Sequence, residues 1–357
     1  MSEMKTFATE KVAAAPASAV RDEIATPYLI FLGDCTSEAF AKTALGVHDW
    51  CPERCVAEWR LPGCTVTTGL PQMSATQAAA AGARALLLGV SPIGGRIPAA
   101  WVPHLVEALE AGLDLVSGMH ERLRDHPEIS RTAARLGRRL HDVRHTDRKF
   151  DPGNGEPRSG KRVLTVGTDC ALGKKYTALA IARELTRRGR PTDFRATGQT
   201  GIMIAGSGIA IDAVISDFIA GAAEWLSPGN SGDHWDVIEG QGSLFHPAYA
   251  GVTLGLLHGS QPHAMVLCHD PTRRHVNGYP RYPMPSLEQA IDLYTRTARL
   301  TNPSATVVAV SLNTSKLDPD QSQRIISETE TRLGLPCCDP VRSGLSRVVD
   351  ALEALPC

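Results

Sequence analysis

Neither sign of charge dominates this chain: 37 Lys and Arg stand against 38 Asp and Glu in 357 residues. Without a basic excess there is no electrostatic footprint for nucleic acid or an acidic membrane. Long apolar runs are missing as well, and none approaches the roughly 20 residues that a helix needs to span a bilayer. The nine cysteines are scattered. Their one local group, Cys51, Cys55 and Cys64, lacks the paired CxxC spacing of a zinc site. An odd count with no apolar leader reads as reduced thiols in a cytoplasmic protein. Aromatics are sparse at 5%, yet 43% hydrophobic content is ample for globular cores, and the length suits two domains. The expected partners are small molecules, with no nucleic acid and no membrane, and a homo-oligomer is expected.

What is present is alternation. YLIFLGD (Tyr28 to Asp34), ALLLGV (Ala85 to Val90) and LDLVSG (Leu113 to Gly118) read as buried strands. Helices are predicted near Val102 to Ala111 and Ser130 to Leu140, so the first half reads as a Rossmann-like α/β domain. A polar stretch rich in glycine and proline, His145 to Arg162, reads as a linker. Further strands are predicted at HWDVIEG (His234 to Gly240), HAMVLCHD (His263 to Asp270), ATVVAVSLN (Ala305 to Asn313) and near Pro336 to Pro340, with helices over Ser286 to Leu300, Gln321 to Leu333 and Ser343 to Ala354. The expected division is a flexible tail over 1–24, a Rossmann-like domain over 25–144, the linker over 145–162 and a second α/β domain with a mostly parallel sheet over 163–357.

That second domain opens on VLTVGTDCALGKKYTALAIARELTRRG, Val163 to Gly189: an apolar strand, a turn bounded by Gly167 and Gly173, and a helix that starts at Lys174. Loop amides and a helix N-terminus supply donors and positive potential to an anion, and the lysine adds a point charge. This is a P-loop, with departures. The usual loop has four residues between glycine and Gly-Lys, then a Ser or Thr that holds magnesium. Here five intervene (Thr168, Asp169, Cys170, Ala171, Leu172), and Lys175 stands at the hydroxyl position. Thr177, two residues on, points elsewhere at roughly 100° of rotation per residue. The loop is therefore expected to neutralise a diphosphate with two lysines and no metal. Cys170 invites a covalent role, although its place inside the loop favours packing.

Other strand ends supply the remaining candidates, since ligands in such sheets bind beyond the carboxyl ends of the strands. In IEGQGS, Glu239 could accept a proton or hold a metal, and Gly240 and Gly242 could let a ligand approach closely. An ion pair or helix cap would be its plain structural role. FRATGQTG places Arg195, Thr197, Gln199 and Thr200 in one loop, a candidate lid over phosphates. Asn313, in AVSLNTSKLD, could read a purine edge or simply form an Asx turn. SPIGGR offers Gly94, Gly95 and Arg96 for an anion, and Arg273 and Arg274 follow the strand that ends CHD. His246, His258, His263, His269 and His275 have no ligand spacing.

GTDCALGKKYT and IEGQGS together resemble the nucleotide-binding signatures of dethiobiotin synthetase and its SIMIBI-class relatives. The loop with RATGQTGI, EGQGSLFHPAYAGVTLGLLHGSQP and RLTNP resembles more closely the family catalogued as a domain of unknown function, DUF1611, with a Rossmann-like N-terminal half and a P-loop C-terminal half. Within it, the chain is most similar to D-glutamate N-acetyltransferases of the DgcN type, over essentially everything from about residue 25 onward. The resemblance implies transfer of acetyl from acetyl-CoA to the amine of D-glutamate, in D-amino-acid catabolism, with the P-loop holding the diphosphate of coenzyme A and no metal required. Gly167, Thr168, Asp169, Cys170, Gly173, Lys174, Lys175 and Thr177 match the family loop and Glu239, Gln241 and Ser243 its second motif; the residues expected around the cosubstrate are those of the loop with Ala171, Leu172 and Tyr176, together with Gln199, Thr200, Gln241 and Asn313. Glu239 or Asp169 would be the base. Gly94, Gly95, Arg96, Arg195, Arg273 and Arg274 would serve an acidic acceptor. Two other readings are an ATP- and magnesium-dependent ligase or kinase that activates a carboxylate, and a nucleotide-sensing module without turnover.

Overall fold

In the computed structural model, which describes residues 24–92 and 94–355, strands and helices alternate and build two sheets. The first contains β1 (Tyr28–Gly33), β2 (Cys55–Arg60), β3 (Ala85–Leu88), β4 (Asp114–Ser117) and β5 (Leu140–Asp142), in the order β2-β1-β3-β4-β5. All its pairings are parallel. A parallel sheet is covered by helices on both faces, so its strands must be apolar on both sides; β1, YLIFLG, is buried at every position.

The second half contributes β6 (Lys161–Gly167), β7 (Thr192–Arg195), β8 (Trp235–Ile238) and β9 (Ala264–His269), then a small antiparallel hairpin, β10 (His275–Val276) and β11 (Tyr279–Pro283). β12 (Thr306–Leu312) and β13 (Cys337–Cys338) complete a six-stranded sheet, ordered β13-β12-β9-β6-β8-β7. The chain runs from β6 to one side through β7 and β8, then crosses to β9, β12 and β13. The direction of winding therefore reverses between β6 and β9, and the crevice that such a reversal opens lies beside the loop following β6. The helix after that loop, Lys174–Arg187, buries Ala178, Ile181, Ala182 and Leu185. That i, i+3, i+4, i+7 stripe lays it on the sheet.

The two halves share a core. The short helix Gln199–Ala205 follows β7, yet its Ile202, Met203 and Ile204 are buried among the residues of the first sheet. Burying each of these side chains is worth about 1.5–3 kcal/mol. Polar contacts fix the insertion: Tyr28 Oη donates to the Met203 carbonyl at 2.9 Å, and Arg54 Nη1 to the Ile204 carbonyl at 2.9 Å.

The expected flexible tail falls, apart from Ile24, outside the described residues; Ile24 itself is buried. The stretch expected as a linker does more than tether. Lys161 and Arg162 belong to β6, and the amides of Asn154 and Gly155 each donate to the Glu224 carboxylate at 2.9 Å, which straps the segment to the helix Ile219–Leu226. FRATGQTG is not one loop: Arg195 ends β7, and Gln199 and Thr200 begin the inserted helix. Among the described residues no helix is long and apolar enough to cross a membrane, and the eight described cysteines are all free thiols.

Candidate functional site

The loop from Gly167 to Gly173 curls over the carboxyl end of β6. Ala171 and Gly173 take positive φ, 53° and 106°, which turns the chain into the helix at Lys174. Lys174 lies inside, 7% exposed, and its ammonium donates to the Asp169 carbonyl at 2.8 Å. Burial pushes its pKa down. The loop is braced from below: the Gly167 carbonyl accepts from Ser243 Oγ and Tyr294 Oη, both at 2.8 Å, and Thr168 Oγ1 meets His269 Nδ1 at 2.9 Å. Leu172 is buried.

The helix turn beyond Lys174 sorts the predicted cosubstrate residues. Thr177 is fully buried, its hydroxyl 3.1 Å from the Gly173 carbonyl and 2.8 Å from Ser311 Oγ. That hydroxyl is committed to the sheet and points away from the loop's mouth, so Thr177 supports the loop rather than lining it. Tyr176 turns to the first half, with Oη 3.2 Å from Asp49 Oδ2 and its ring edge-on to Trp50. Lys175 follows it: a Cβ built on Gly46, in the helix Lys42–Trp50, would lie 2.8 Å from its Nζ. The two lysines therefore divide, Lys174 in the phosphate loop and Lys175 at the seam between the halves.

Two buried carboxylates end up in opposite states. Asp169 is fully buried and its oxygens are taken: Oδ1 accepts from the Cys170 amide at 2.6 Å, and Oδ2 from Arg273 Nη1 at 2.6 Å and the Asn277 amide at 2.8 Å. A carboxylate that takes three donors, a guanidinium among them, holds the loop together. Glu239, 3% exposed, receives only the amides of Thr197 and Gly198, both at 3.0 Å and both on Oε2. No hydrogen bond reaches Oε1 from the described residues. Burial raises its pKa, opposed by the charge of Lys175, which suits a group that must take a proton near neutral pH.

The glycines of IEGQGS were expected to admit a ligand, but the protein's own backbone fills that space. A Cβ on Gly240 would lie 1.6 Å from the Thr165 carbonyl oxygen, and one on Gly242 would lie 2.4 Å from that of Tyr249. Gly240's amide already donates to Thr165 Oγ1 at 2.9 Å. Gln241 Nε2 is 3.3 Å from Thr197 Oγ1, in the same cluster as Glu239. Thr200 meets Thr43 at 3.1 Å, and Gln199 packs on Gly118, so both sit on the seam. Asn313 forms the plain Asx turn, accepting from the Ser315 amide at 3.2 Å.

The arginines do not gather around one cleft. Arg195 is tied to Asp236 at 2.7 Å and Asp193 at 2.8 Å. Arg273 grips the phosphate loop through Asp169 and the Cys170 carbonyl, at 2.6 and 2.7 Å. Neither can clamp a substrate without leaving a buried acid unpaired. Arg96 and Arg274 are exposed and lie in different halves. Beside Arg96, Gly94 and Gly95 take φ of 84° and 61°, and Gly95 packs on His120.

Among the described residues two side-chain clusters have ligand atoms within 4.8 Å of one another, Asp169 with Cys170 and His246, and Asp193 with His234 and Asp236. In each, an arginine already neutralises the carboxylates, so neither presents an open donor set to a cation. Burial raises the Cys170 thiol pKa, which disfavours the thiolate. Tyr294, Asn277 and His269 brace the loop from distant segments, and nothing in the local sequence marks them. His246 could be noticed as a histidine, but its place 4.0 Å from Asp169 could not.

Comparison with known proteins agrees with this architecture. Residues 151–349 match the domain of unknown function described as the DUF1611 C-terminal P-loop domain, and residues 59–146 the DUF1611 N-terminal Rossmann-like domain. A D-glutamate N-acetyltransferase of Tritonibacter scottomollicae is 50% identical over 332 residues, 93% of this chain and 100% of that protein. A protein of the same name from a Pseudoalteromonas species is 47% identical over 327 residues, 92% and 98% of the two chains. The crystal structure of a DUF1611 family protein from Anabaena variabilis superposes with a TM-score of 0.81 at 34% identity, covering 93% of this chain and 100% of that one.

Proposed function

This chain belongs to the DUF1611 family, and from that premise we propose that it transfers the acetyl group of acetyl-CoA to the amine of D-glutamate. It is an enzyme of the acyltransferase class, as its two relatives are named. The observation that carries the cosubstrate assignment is a phosphate loop with Lys174 inside it and no hydroxyl placed to hold a metal. Lys174 and the loop amides can hold a diphosphate, while the Thr177 hydroxyl is turned to Ser311 and the residue that follows Gly-Lys is Lys175, which carries no metal-binding hydroxyl. Such a loop favours diphosphate binding over magnesium-dependent phosphoryl transfer.

In this reading Glu239 takes a proton from the acceptor's ammonium group. The free amine then attacks the thioester carbonyl, so a C–N bond forms as the C–S bond breaks. The second amine proton leaves with the thiolate. Lys175, beside Glu239 at the seam, supplies positive charge for an acceptor carboxylate, and Arg96, exposed and without a side-chain partner among the described residues, is a second cation for it. An acidic acceptor fits that distribution of charge. The wrong hand at the reacting carbon would move the amine off line, where small displacements are costly.

The test is an assay of released thiol with acetyl-CoA and a panel of amino acids, with chelator present. D-glutamate should react much faster than L-glutamate and faster than D-alanine, which lacks the second carboxylate. Dependence on magnesium, with ATP consumed in step with product, would replace this reading with a carboxylate-activating ligase or kinase.

A further inference from the structure

Beside the phosphate loop stands an aromatic and basic surface that the transfer chemistry leaves unused. The hairpin of β10 and β11 is anchored to the loop from both sides of its turn. The Asn277 amide donates to Asp169 at 2.8 Å, and Arg273, just before β10, bonds Asp169 and the Cys170 carbonyl. Tyr279 leans edge-on against His246 at 5.0 Å, His246 stacks on Tyr249 at 4.5 Å, and Tyr279 meets Tyr282 at 6.0 Å. The ends of this row are open to solvent, Tyr249 being 53% and Tyr282 50% exposed. Exposed tyrosine rings are flat, rigid surfaces suited to stacking on a base.

Two cations accompany the rings. Arg274 and Arg281 are exposed, and neither side chain makes a hydrogen bond or ion pair among the described residues. Arg281 lies between the two contacting tyrosines of β11, Tyr279 and Tyr282. The other candidate for a purine, the Asn313 loop, is already occupied: Asn313 closes its own turn, the Thr314 hydroxyl is bound to Asp339 at 2.5 Å, and Lys316 is bound to Asp270 at 3.1 Å.

We infer that this hairpin, with Tyr249, is the subsite for the adenine ring and the 3′-phosphate of coenzyme A, the rings stacking the base and Arg274 and Arg281 taking the phosphate. The inference rests on the phosphate loop holding the diphosphate of the same molecule. It moves Arg274 from the acceptor to the cosubstrate. It also gives the protein a means of choosing a 3′-phosphorylated nucleotide over ADP-like ligands, which the loop alone cannot distinguish.

Calorimetry with CoA and with dephospho-CoA, which lacks only the 3′-phosphate, tests it on the full-length protein. The wild type should prefer CoA by roughly ten- to a hundredfold, the scale of one or two charge-assisted contacts. The double variant Arg274→Ala/Arg281→Ala should lose that preference while its affinity for dephospho-CoA is unchanged. Tyr282→Ala should weaken both ligands by roughly fivefold or more. Equal binding of CoA and dephospho-CoA by the wild type, with both lost in Lys174→Ala, would overturn the subsite and leave the diphosphate reading standing. No binding of either would remove both. A change of oligomeric state in Tyr282→Ala with CoA affinity intact would make the aromatic row an interface between copies and overturn the subsite.

Discussion

The loop that follows β6 and the loop that follows β8 each carry a buried acid near a lysine, but the two acids meet different sets of donors. Asp169 takes an arginine and two amides across both its oxygens, whereas Glu239 has two amides on one oxygen and a pKa raised by burial. Both are buried acids just past the end of a strand, and what distinguishes them is their set of donors. A guanidinium in contact occupies a carboxylate's lone pairs, while desolvation with no cation in contact favours the protonated form, as at Glu239.

The sharpest way to break the comparison is Glu239→Gln, which keeps the shape and removes the basic oxygen. Turnover should fall about a hundred- to ten-thousandfold, with acetyl-CoA binding intact and with the acid limb of the pH–rate profile, set above the ordinary carboxylate range by burial, abolished. A loss confined to the Michaelis constant for acetyl-CoA would instead make Glu239 part of the phosphate site. Next in size is Lys174→Ala, expected to raise that Michaelis constant roughly ten- to a hundredfold with little change in turnover, the signature of a lost charge-assisted contact.

Asp169→Asn probes the other side of the comparison. It removes the closer of the two anions of Arg273, which keeps Asp270 at 3.9 Å, and should cost about 1.5–3 kcal/mol in urea unfolding, with a smaller loss of turnover than Glu239→Gln. The opposite ranking of turnover would exchange the roles of the two acids. The smallest effect concerns acid. His269, which touches Thr168 of the first loop, and His263 are both held at about 4 by burial. Because their folded pKa lies below the ordinary value, the unfolded chain binds protons first as pH falls. Stability that is full above about pH 6.5 should therefore be lost progressively toward pH 4. Urea midpoints across that range check it, and His269→Gln should flatten the slope.

Much of the fold was legible. The strands at Tyr28, Ala85, Leu113, His234, His263 and Ala305 are apolar runs between turn residues, and parallel sheets require such runs. β2 was hidden because Glu58 interrupts CVAEWR, and only the structure supplies its partners: Thr67 Oγ1 at 2.7 Å and the Thr68 amide at 2.6 Å. Gln199 and Thr200 were read as loop because a seven-residue helix rich in small and branched residues has little local signal. In the site, the phosphate loop was visible from its spacing and Glu239 from its place at a strand end. The arginines were not, since a sequence shows where a guanidinium is attached and not which acid it meets. Arg195 and Arg273 looked free and are both engaged.

The helix Gln199–Ala205 has a consequence for anyone who would divide this protein. A gene cut at the glycine- and proline-rich joint would leave the first fragment with a cavity where Ile202, Met203 and Ile204 belong, and the second with those side chains in water. Neither piece would be a finished module to graft or exchange, although the chain can be written as two names in a row. The unit that selection and engineering both handle is the whole polypeptide, because one half was left for the other to complete.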